Sequence, residues 1–281
     1  EHILPEQIAH LSVSFLVDSL HRVRGGCAPN IAYSLSLFHQ HPIIMATVGQ
    51  DAEAYRRWLA EHGVDTSGWK VIPDDFTASF FVSTDEENNQ IASFYTGAMA
   101  KAKELSFRDL DSATIEWAVI SPNDPEAMNK YVRECQALHI PYLYDPSQQI
   151  VRLSAETLVA GVRGARIFIA NEYEYEMVKN KTGLRHEEIL ALAETVIVTR
   201  GEAGSLIYHA GERISIPPAP PHGIADPTGV GDAYRSGLLA GLHSGLDWAT
   251  AGRIGSLATT YVLEQMGPQN HYYTLEAFIS R

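Results

Sequence analysis

Strand-like and helix-like segments alternate along the second half of this sequence, and that alternation restricts the fold more than any other feature. Each of four short apolar runs is typical of a buried strand, and segments with helical periodicity separate them. The predicted strands are 117–120, 142–144, 167–170 and 196–198, and the predicted helices are 125–138, 155–162 and a segment within 171–194. Strands connected in this way pair in parallel, so we expect an α/β domain whose mostly parallel sheet carries helices on both faces.

The first third of the chain follows a different pattern. Residues 12–17 alternate polar and apolar side chains, and two further alternating runs, 77–84 and 90–95, flank the polar turn 85–89. Two alternating runs joined by a polar turn predict a β-hairpin. We expect these runs to form a small sheet separate from the main one. The elements predicted between them are a helix at 30–38, a strand at 43–48 and a helix capped by Asp51 that ends near His62.

A glycine-containing loop at 226–232 precedes a segment with helical spacing at 233–242. Gly229 and Gly231 leave the backbone free to point successive N–H groups at one anion, and a helix N-terminus favours the same charge. Asp232 then places a carboxylate beside a predicted phosphate site, where it can accept a proton from a hydroxyl that attacks the phosphate. We expect the helix N-terminus to lower the pKa of Asp232 and keep it ionised. Taken alone, the pattern also fits a helix N-cap after a glycine turn.

Polar segments follow the predicted strands at the point where each strand ends. They are 121–124, 145–149, 171–174 and 199–201. Any one of them fits an ordinary loop with helix-capping side chains. Because open parallel sheets bind ligands beyond the carboxyl ends of their strands, these segments and the glycine loop together predict a ligand-binding rim.

Composition excludes several classes of function. The chain has 281 residues, 45% of them hydrophobic, with a formal net charge of −13 and a pI near 5.3, which argues against nucleic acid as a partner. No apolar run approaches membrane-spanning length and no signal peptide is visible, so we expect a cytoplasmic protein. Of the two cysteines, Cys135 is in phase with a predicted apolar helix face and Cys27 is interpreted as a small structural residue. The chain opens on Glu1 instead of Met, so we expect an upstream segment.

Two signatures resemble those of the ribokinase-like (PfkB) sugar and nucleoside kinases. They are the segment 25–30, Gly-Gly-Cys-Ala-Pro-Asn before a helix, and the glycine loop 226–232. The segments 14–18, 92–95, 123–128 and 145–149 resemble the bacterial adenosine kinases of the mycobacterial type. The resemblance implies a ribokinase-like three-layer α/β/α domain over 1–281, with a small β-sheet lid formed by about 8–20 and 74–96.

The same resemblance implies an activity. It is transfer of the γ-phosphoryl group of ATP to the 5′-hydroxyl of adenosine, which gives AMP in purine salvage. ATP and Mg²⁺ are the implied cofactors, a K⁺ requirement is left open, and a homodimer through the lids is implied. In the family pattern, Asp232 matches the catalytic base, and the backbone of Gly229, Val230 and Gly231 matches the anion hole.

Other positions match residues that hold the nucleoside. Gly26 and Asn30 match the positions at the ribose hydroxyls, Phe94 matches an aromatic stacked on the purine, and Gln148 and Gln149 match amides lining the base. Two alternatives stay open from the residues alone, because Asn30 also fits a helix N-cap and Phe94 also fits a packed core position.

The remaining matched positions lie on the nucleotide side. Asn171 and Glu174 match an Asn-x-x-Glu element that positions phosphates and, indirectly, Mg²⁺, while Thr199 and Gly201 match the loop beside the nucleotide. Arg152 is a candidate cation for the phosphate, and a solvated surface arginine is the alternative reading of it.

Two departures from the family pattern and two rival functions remain. The first family strand, with an Asp that grips the ribose, has no counterpart after Glu1, and Pro29 stands where near relatives often have Gly. The rival functions are a kinase of the same family acting on ribose, fructose or a broad set of nucleosides, and a non-catalytic ligand-sensing protein on the same fold.

Overall fold

The computed structural model of this chain describes residues 17–84 and 90–281. The strands are β1 (Ala46–Gly49), β2 (Trp69–Ile72), β3 (Ser79–Thr84), β4 (Gln90–Tyr95), β5 (Ala118–Ile120), β6 (Tyr142–Tyr144), β7 (Ile167–Asn171), β8 (Thr195–Thr199), β9 (Ser205–His209) and β10 (Glu212–Ile216). The α-helices are α1 (Cys27–Leu37), α2 (Glu53–Glu61), α3 (Pro125–Ala137), α4 (Ala155–Val162), α5 (Glu172–Thr182), α6 (His186–Leu190), α7 (Val230–His243), α8 (Trp248–Leu263) and α9 (Leu275–Ser280). Short 3₁₀ helices include Gly97–Glu104, Ser147–Val151 and Gly201–Ala203.

The main sheet has six strands in the order β10-β9-β8-β7-β6-β5. Strands β5 to β8 pair in parallel, as the alternating sequence predicts, and β9 and β10 add an antiparallel edge. A tight turn at Ala210 and Gly211, both with positive φ, joins those two edge strands. The mostly parallel sheet is therefore confirmed, and its antiparallel edge is an addition that the sequence pattern did not reveal.

Helices cover both faces of this sheet because its strands are apolar on both sides. Tyr144, Phe168 and Val196 pack into a core with residues of α3, α4 and α5. Leu143 and Ile167, each next to one of those residues in its strand, pack instead against α7 and α8. This period of two divides the strand side chains between two helical layers, so the predicted α/β/α arrangement is confirmed. Cys135 belongs to the first core, as predicted.

The first third of the chain forms two smaller sheets. Strands β1 and β2 pair in parallel, and β3 and β4 form the antiparallel hairpin that the sequence predicts. The strand predicted at 12–17 lies outside the described residues except for Val17, which is exposed and in no strand. The division into one domain with a lid at 8–20 and 74–96 stays a prediction.

One strand boundary and one helix cap predicted in this region are wrong. The predicted strand at 43–48 is β1, which begins only at Ala46, because Ile43 makes no more than an isolated bridge to Asp65. Asp51 does not cap α2. Its Oδ1 accepts hydrogen bonds from the backbone N–H and the hydroxyl of Thr77, at 2.8 and 2.7 Å, and so holds the chain that leads into β3.

Within the described residues, no helix combines the length and the apolar character needed to cross a bilayer.

Candidate active site

The glycine loop forms the N-terminus of α7. Gly229 is the N-cap with φ +82°, and a Cβ there would lie 2.5 Å from the Cβ of Pro268, so only glycine fits. Asp226 sets the shape of the loop, because its two carboxylate oxygens accept hydrogen bonds from the N–H groups of Thr228 and Gly267 at 2.8 and 2.9 Å. The first helical turn leaves N–H groups without intrahelical partners, and these favour an anion. One of them, the N–H of Val230, makes a long hydrogen bond within the loop, with 3.4 Å between its nitrogen and the Pro227 carbonyl oxygen.

Asp232 is buried in the first turn of α7, with 7% of its surface exposed. Its Oδ2 accepts a hydrogen bond from Nδ2 of Asn30 at 2.8 Å, across 202 residues of sequence. Asn30 lies in α1, whose N-cap is Gly26 with φ +103°. The two segments that carry the family resemblance therefore meet at the proposed base. Asn30 is therefore not the helix N-cap of the alternative interpretation, because it lies four residues beyond Gly26 and its side chain contacts the carboxylate.

The expected pKa of Asp232 is wrong in direction. Burial raises the pKa of this carboxyl, and the nearby Arg235 guanidinium and the Asn30 hydrogen bond lower it by less. The sequence shows the helix N-terminus but not the depth at which the side chain lies. A raised pKa makes the ionised carboxylate a stronger proton acceptor.

A buried ion pair lies beside Asp232. Nε of Arg235 is 2.6 Å from Oδ2 of Asp145, and both side chains are more than nine-tenths buried. Burial raises the pKa of Asp145 to about 6, and Arg235 opposes the rise. A Cβ on Gly231 would lie 2.6 Å from Nη1 of Arg235, so glycine leaves room for the guanidinium beside the loop. Sequence reasoning missed Arg235, although an arginine within the apolar run of α7, three residues after Asp232, is a usable signal.

The segment after β6 supplies the predicted amides. Gln149 is buried and Gln148 is exposed, with its Oε1 2.9 Å from the Ser147 hydroxyl oxygen. Burial raises the pKa of the Cys27 thiol, in the first turn of α1, and Gln148 lies near enough to lower that pKa by less. The two predicted substrate segments are therefore adjacent. Arg152 is exposed at the end of the 3₁₀ helix, with Nη1 3.5 Å from Oε1 of Gln149.

The predicted nucleotide-side residues occupy the ends of β7 and β8. Asn171 and Glu174 form a reciprocal capping box at the start of α5, with both hydrogen bonds at 2.8 Å. The other carboxylate oxygen of Glu174 accepts a hydrogen bond from the Ser147 hydroxyl at 2.9 Å, which ties this strand end to the end of β6. Thr199 lies opposite Asn171 in register, and Gly201 follows with φ +54°. These strand ends form one continuous edge.

Phe94 lies apart from this cluster, on the β3–β4 hairpin. It is opposite Phe80 in register and 52% exposed, so it is not the packed core residue of the alternative reading. No hydrogen bond or ring contact within residues 17–84 and 90–281 joins it to Asn30 or Asp232. At the base of the hairpin, the Tyr95 hydroxyl donates a hydrogen bond to Oδ1 of Asp75 at 2.5 Å.

Sequence reasoning also missed Gln269, in the loop after α8. Its Nε2 donates to Oδ1 of Asn30 at 2.7 Å, and its side chain is buried. No periodic pattern marks this irregular loop, so only the folded structure brings Gln269 to the site.

Two carboxylates at this edge of the sheet, Asp145 and Glu174, are candidates for holding a metal ion. In the part of the chain that the structure describes, no group of three or more His, Cys, Asp or Glu side chains could hold a metal ion. Oδ1 of Asp145 is buried and lacks a hydrogen-bond partner among these residues, and the Glu174 charge acts on the same carboxyl. Two acceptors at one rim fit a hydrated cation that is held mainly by phosphate oxygens.

A helix N-terminus that favours an anion, with a buried carboxylate in its first turn and at the polar edge of a mostly parallel sheet, is an arrangement suited to phosphoryl transfer. The sequence matches the family model for pfkB family carbohydrate kinases over residues 3–274. The chain belongs to this family, which confirms the resemblance stated from the two signatures. It is therefore a phosphotransferase with an alcohol group as acceptor.

Individual relatives match nearly the whole chain. The structure of Burkholderia thailandensis nucleoside kinase in complex with inosine superposes with a TM-score of 0.91 at 35% identity, covering 96% of this chain and 90% of that one. A nucleoside kinase of Methanocaldococcus jannaschii is 27% identical over 278 residues, 98% of this chain and 91% of that protein. A cytidine kinase of Thermococcus kodakarensis is 26% identical, covering 92% and 96%.

Proposed function

We propose that this protein is an ATP-dependent nucleoside kinase that phosphorylates the 5′-hydroxyl of its acceptor, with adenosine among its acceptors and AMP as the product. One observation carries the proposal, the 2.8 Å hydrogen bond between Asn30 and Asp232, which joins the predicted ribose-binding residue to the predicted base. The likeness to a nucleoside kinase solved with inosine supports a nucleoside over a free sugar. The same likeness, and that to a cytidine kinase, favour a broad acceptor range over strict adenosine specificity.

The chemistry follows from the positions of these groups. The acceptor 5′-oxygen attacks the γ-phosphorus. The bond between that phosphorus and the β–γ bridging oxygen breaks, which releases ADP, and the hydroxyl proton passes to Asp232. The transition state is loose, so alignment and charge neutralisation supply most of the rate enhancement. The N–H groups of the glycine loop and the Arg235 guanidinium neutralise charge on the transferring phosphoryl oxygens. Asp145 and Glu174 would hold Mg²⁺, whose charge would neutralise further phosphate charge.

Support for the proposed setting comes from the two thiols. Cys27 and Cys135 are both free, which accords with the reducing cytoplasm, where ATP and nucleosides are available.

A panel of acceptors tests the proposal. Purified protein with ATP and Mg²⁺ would be given adenosine, inosine, cytidine, ribose and fructose, with ADP release followed and the phosphorylated carbon identified by ³¹P NMR. We expect kcat/KM for at least one nucleoside to exceed that for either sugar by about tenfold or more, a difference of about 1.4 kcal/mol in transition-state binding. A preference for ribose or fructose would overturn the nucleoside assignment. Thermal stabilisation by a nucleoside without ADP release would favour the ligand-sensing alternative.

A further inference from the structure

Asn30 is itself held by residues from distant parts of the chain. Nε2 of Gln269 donates to Oδ1 of Asn30 at 2.7 Å and to the Tyr55 oxygen at 2.6 Å. The single Tyr55 hydroxyl proton has two acceptors within reach, Oε1 of Gln269 at 2.9 Å and the carbonyl oxygen of Gly25 at 3.0 Å. Asn30 and Gln269 are buried, with 5% and 3% of their surfaces exposed. The network thus runs from the glycine pair before α1 to the carboxylate on α7.

The direction of each hydrogen bond is set by Asp232. An ionised carboxylate only accepts hydrogen bonds, so Asn30 must present its NH₂ group to it. The amide oxygen of Asn30 then faces Gln269 and needs a donor there, which the Gln269 NH₂ group supplies. With no donor at position 269, the buried amide oxygen of Asn30 would lack a hydrogen-bond partner, which favours rotation of the side chain away from the geometry that directs its NH₂ group at the carboxylate.

We propose that Gln269 is a positioning residue for phosphoryl transfer, which fixes the amide orientation of Asn30 and so keeps a hydrogen-bond donor directed at Asp232. This inference rests on the proposed function, in which Asp232 is the base.

The other charged and titratable groups around Asp232 do not depend on Gln269. They are Arg235 on α7 itself, Asp145 at the end of β6 and the thiol of Cys27 on α1. All three stay in place when only position 269 changes, so their contributions cancel between variants. Loss of the Asn30 donor removes one of the two groups that lower the pKa of Asp232. The acid limb of the kcat profile then moves to higher pH.

The test replaces the Gln269 donor by an acceptor of the same shape, in Gln269→Glu. The control is Gln265→Glu, the same chemical change at an exposed position four residues earlier. We expect the acid limb of kcat for Gln269→Glu to lie about one pH unit above that of the control, the shift that matches one lost hydrogen bond to a charged group. We expect kcat at neutral pH to fall and KM for ATP to stay unchanged, since no nucleotide contact is altered.

A second variant guards against failure to fold. Gln269→Met removes the donor without adding a charge, and the same upward movement of the acid limb is expected. Circular dichroism melts would establish that both variants are folded. Acid limbs that coincide with that of Gln265→Glu would overturn the proposal and leave Gln269 a packing residue. Failure of the underlying function would show differently, as full turnover in Asp232→Asn, whatever the Gln269 variants do.

Discussion

Burial and ion pairing act in opposite directions on the carboxylates of this site. Asp232 and Asp145 are both buried, and a single guanidinium, that of Arg235, lowers the pKa of each. In a protein with a formal net charge of −13, the anionic nucleotide must be attracted by local groups. Under the proposed function, Arg235 and the N–H groups of the glycine loop supply that attraction.

We therefore expect removal of the Arg235 guanidinium to destabilise the folded protein. We expect Arg235→Met to lower the free energy of unfolding by about 3–5 kcal/mol, because two carboxylates remain buried without a cation. Urea unfolding followed by circular dichroism measures this, with Arg133→Met on the exposed surface of α3 as the control. In the double variant Arg235→Met/Asp145→Asn, part of the stability should return. A loss no greater than that of the control would show that the pair does not stabilise the fold.

Individual site residues were predictable to the extent that local sequence marks them. Asp232 and Asn30 lie next to glycine signatures, and the structure brings the two side chains into contact. Arg235 and Gln269 act through partners more than 80 residues away in sequence, so local sequence marks Arg235 as a charged residue in an apolar helix run but identifies the partner of neither residue. The pKa of Asp232 depends on burial depth, which is a property of tertiary packing.

Elements were predicted best where their ends carry strong signals. Asp124 caps α3 by accepting hydrogen bonds from two backbone N–H groups of its first turn. The helix begins at Pro125, where the sequence prediction also begins. Asp51 gives an equally good capping signal, yet its carboxylate is used by Thr77, 26 residues away. Strands β9 and β10 lie outside the strand–helix alternation, and a hairpin turn at Ala210 joins them.

The β3–β4 hairpin has two apolar faces, and they are expected to differ in function. Phe80 and Phe94 are paired on one face, while Phe81 is on the other, opposite Ser93. If the first face stacks on the nucleobase, Phe94→Ala should weaken nucleoside binding by about 1–3 kcal/mol. Phe81→Ala is the matched control and should leave it unchanged. Calorimetric titration with adenosine measures both, and equal losses in the two variants would mean that the hairpin only packs.

At the scale of the whole molecule, the second apolar face of the hairpin stays exposed to solvent in a single chain. Phe81 and Ile91 are 60% and 58% exposed on that face. A two-stranded hairpin with two bare apolar faces is marginal in water, and a self-complementary contact between two hairpins would cover one of them. We therefore expect a homodimer formed through the lid.

Light scattering at micromolar concentration should give twice the chain mass of 31.0 kDa. Phe81→Asp should return the mass to one chain, while Asp74→Asn, at an exposed position before the hairpin, should not. A monomer in the unmodified protein would refute the dimer and leave the kinase assignment unaffected.

The central claim is that the Asp232 carboxylate accepts the acceptor proton, and Asp232→Asn tests it most directly. The new amide oxygen can still accept the Asn30 hydrogen bond, so the site keeps its shape while it loses the base. We expect kcat to fall by about 10²–10⁴-fold, the usual contribution of a general base. ATP affinity by calorimetry should stay as in Asp109→Asn, an exposed control. Turnover above about a third of the unmodified rate, where a lost general base removes at least a hundredfold, would contradict the account.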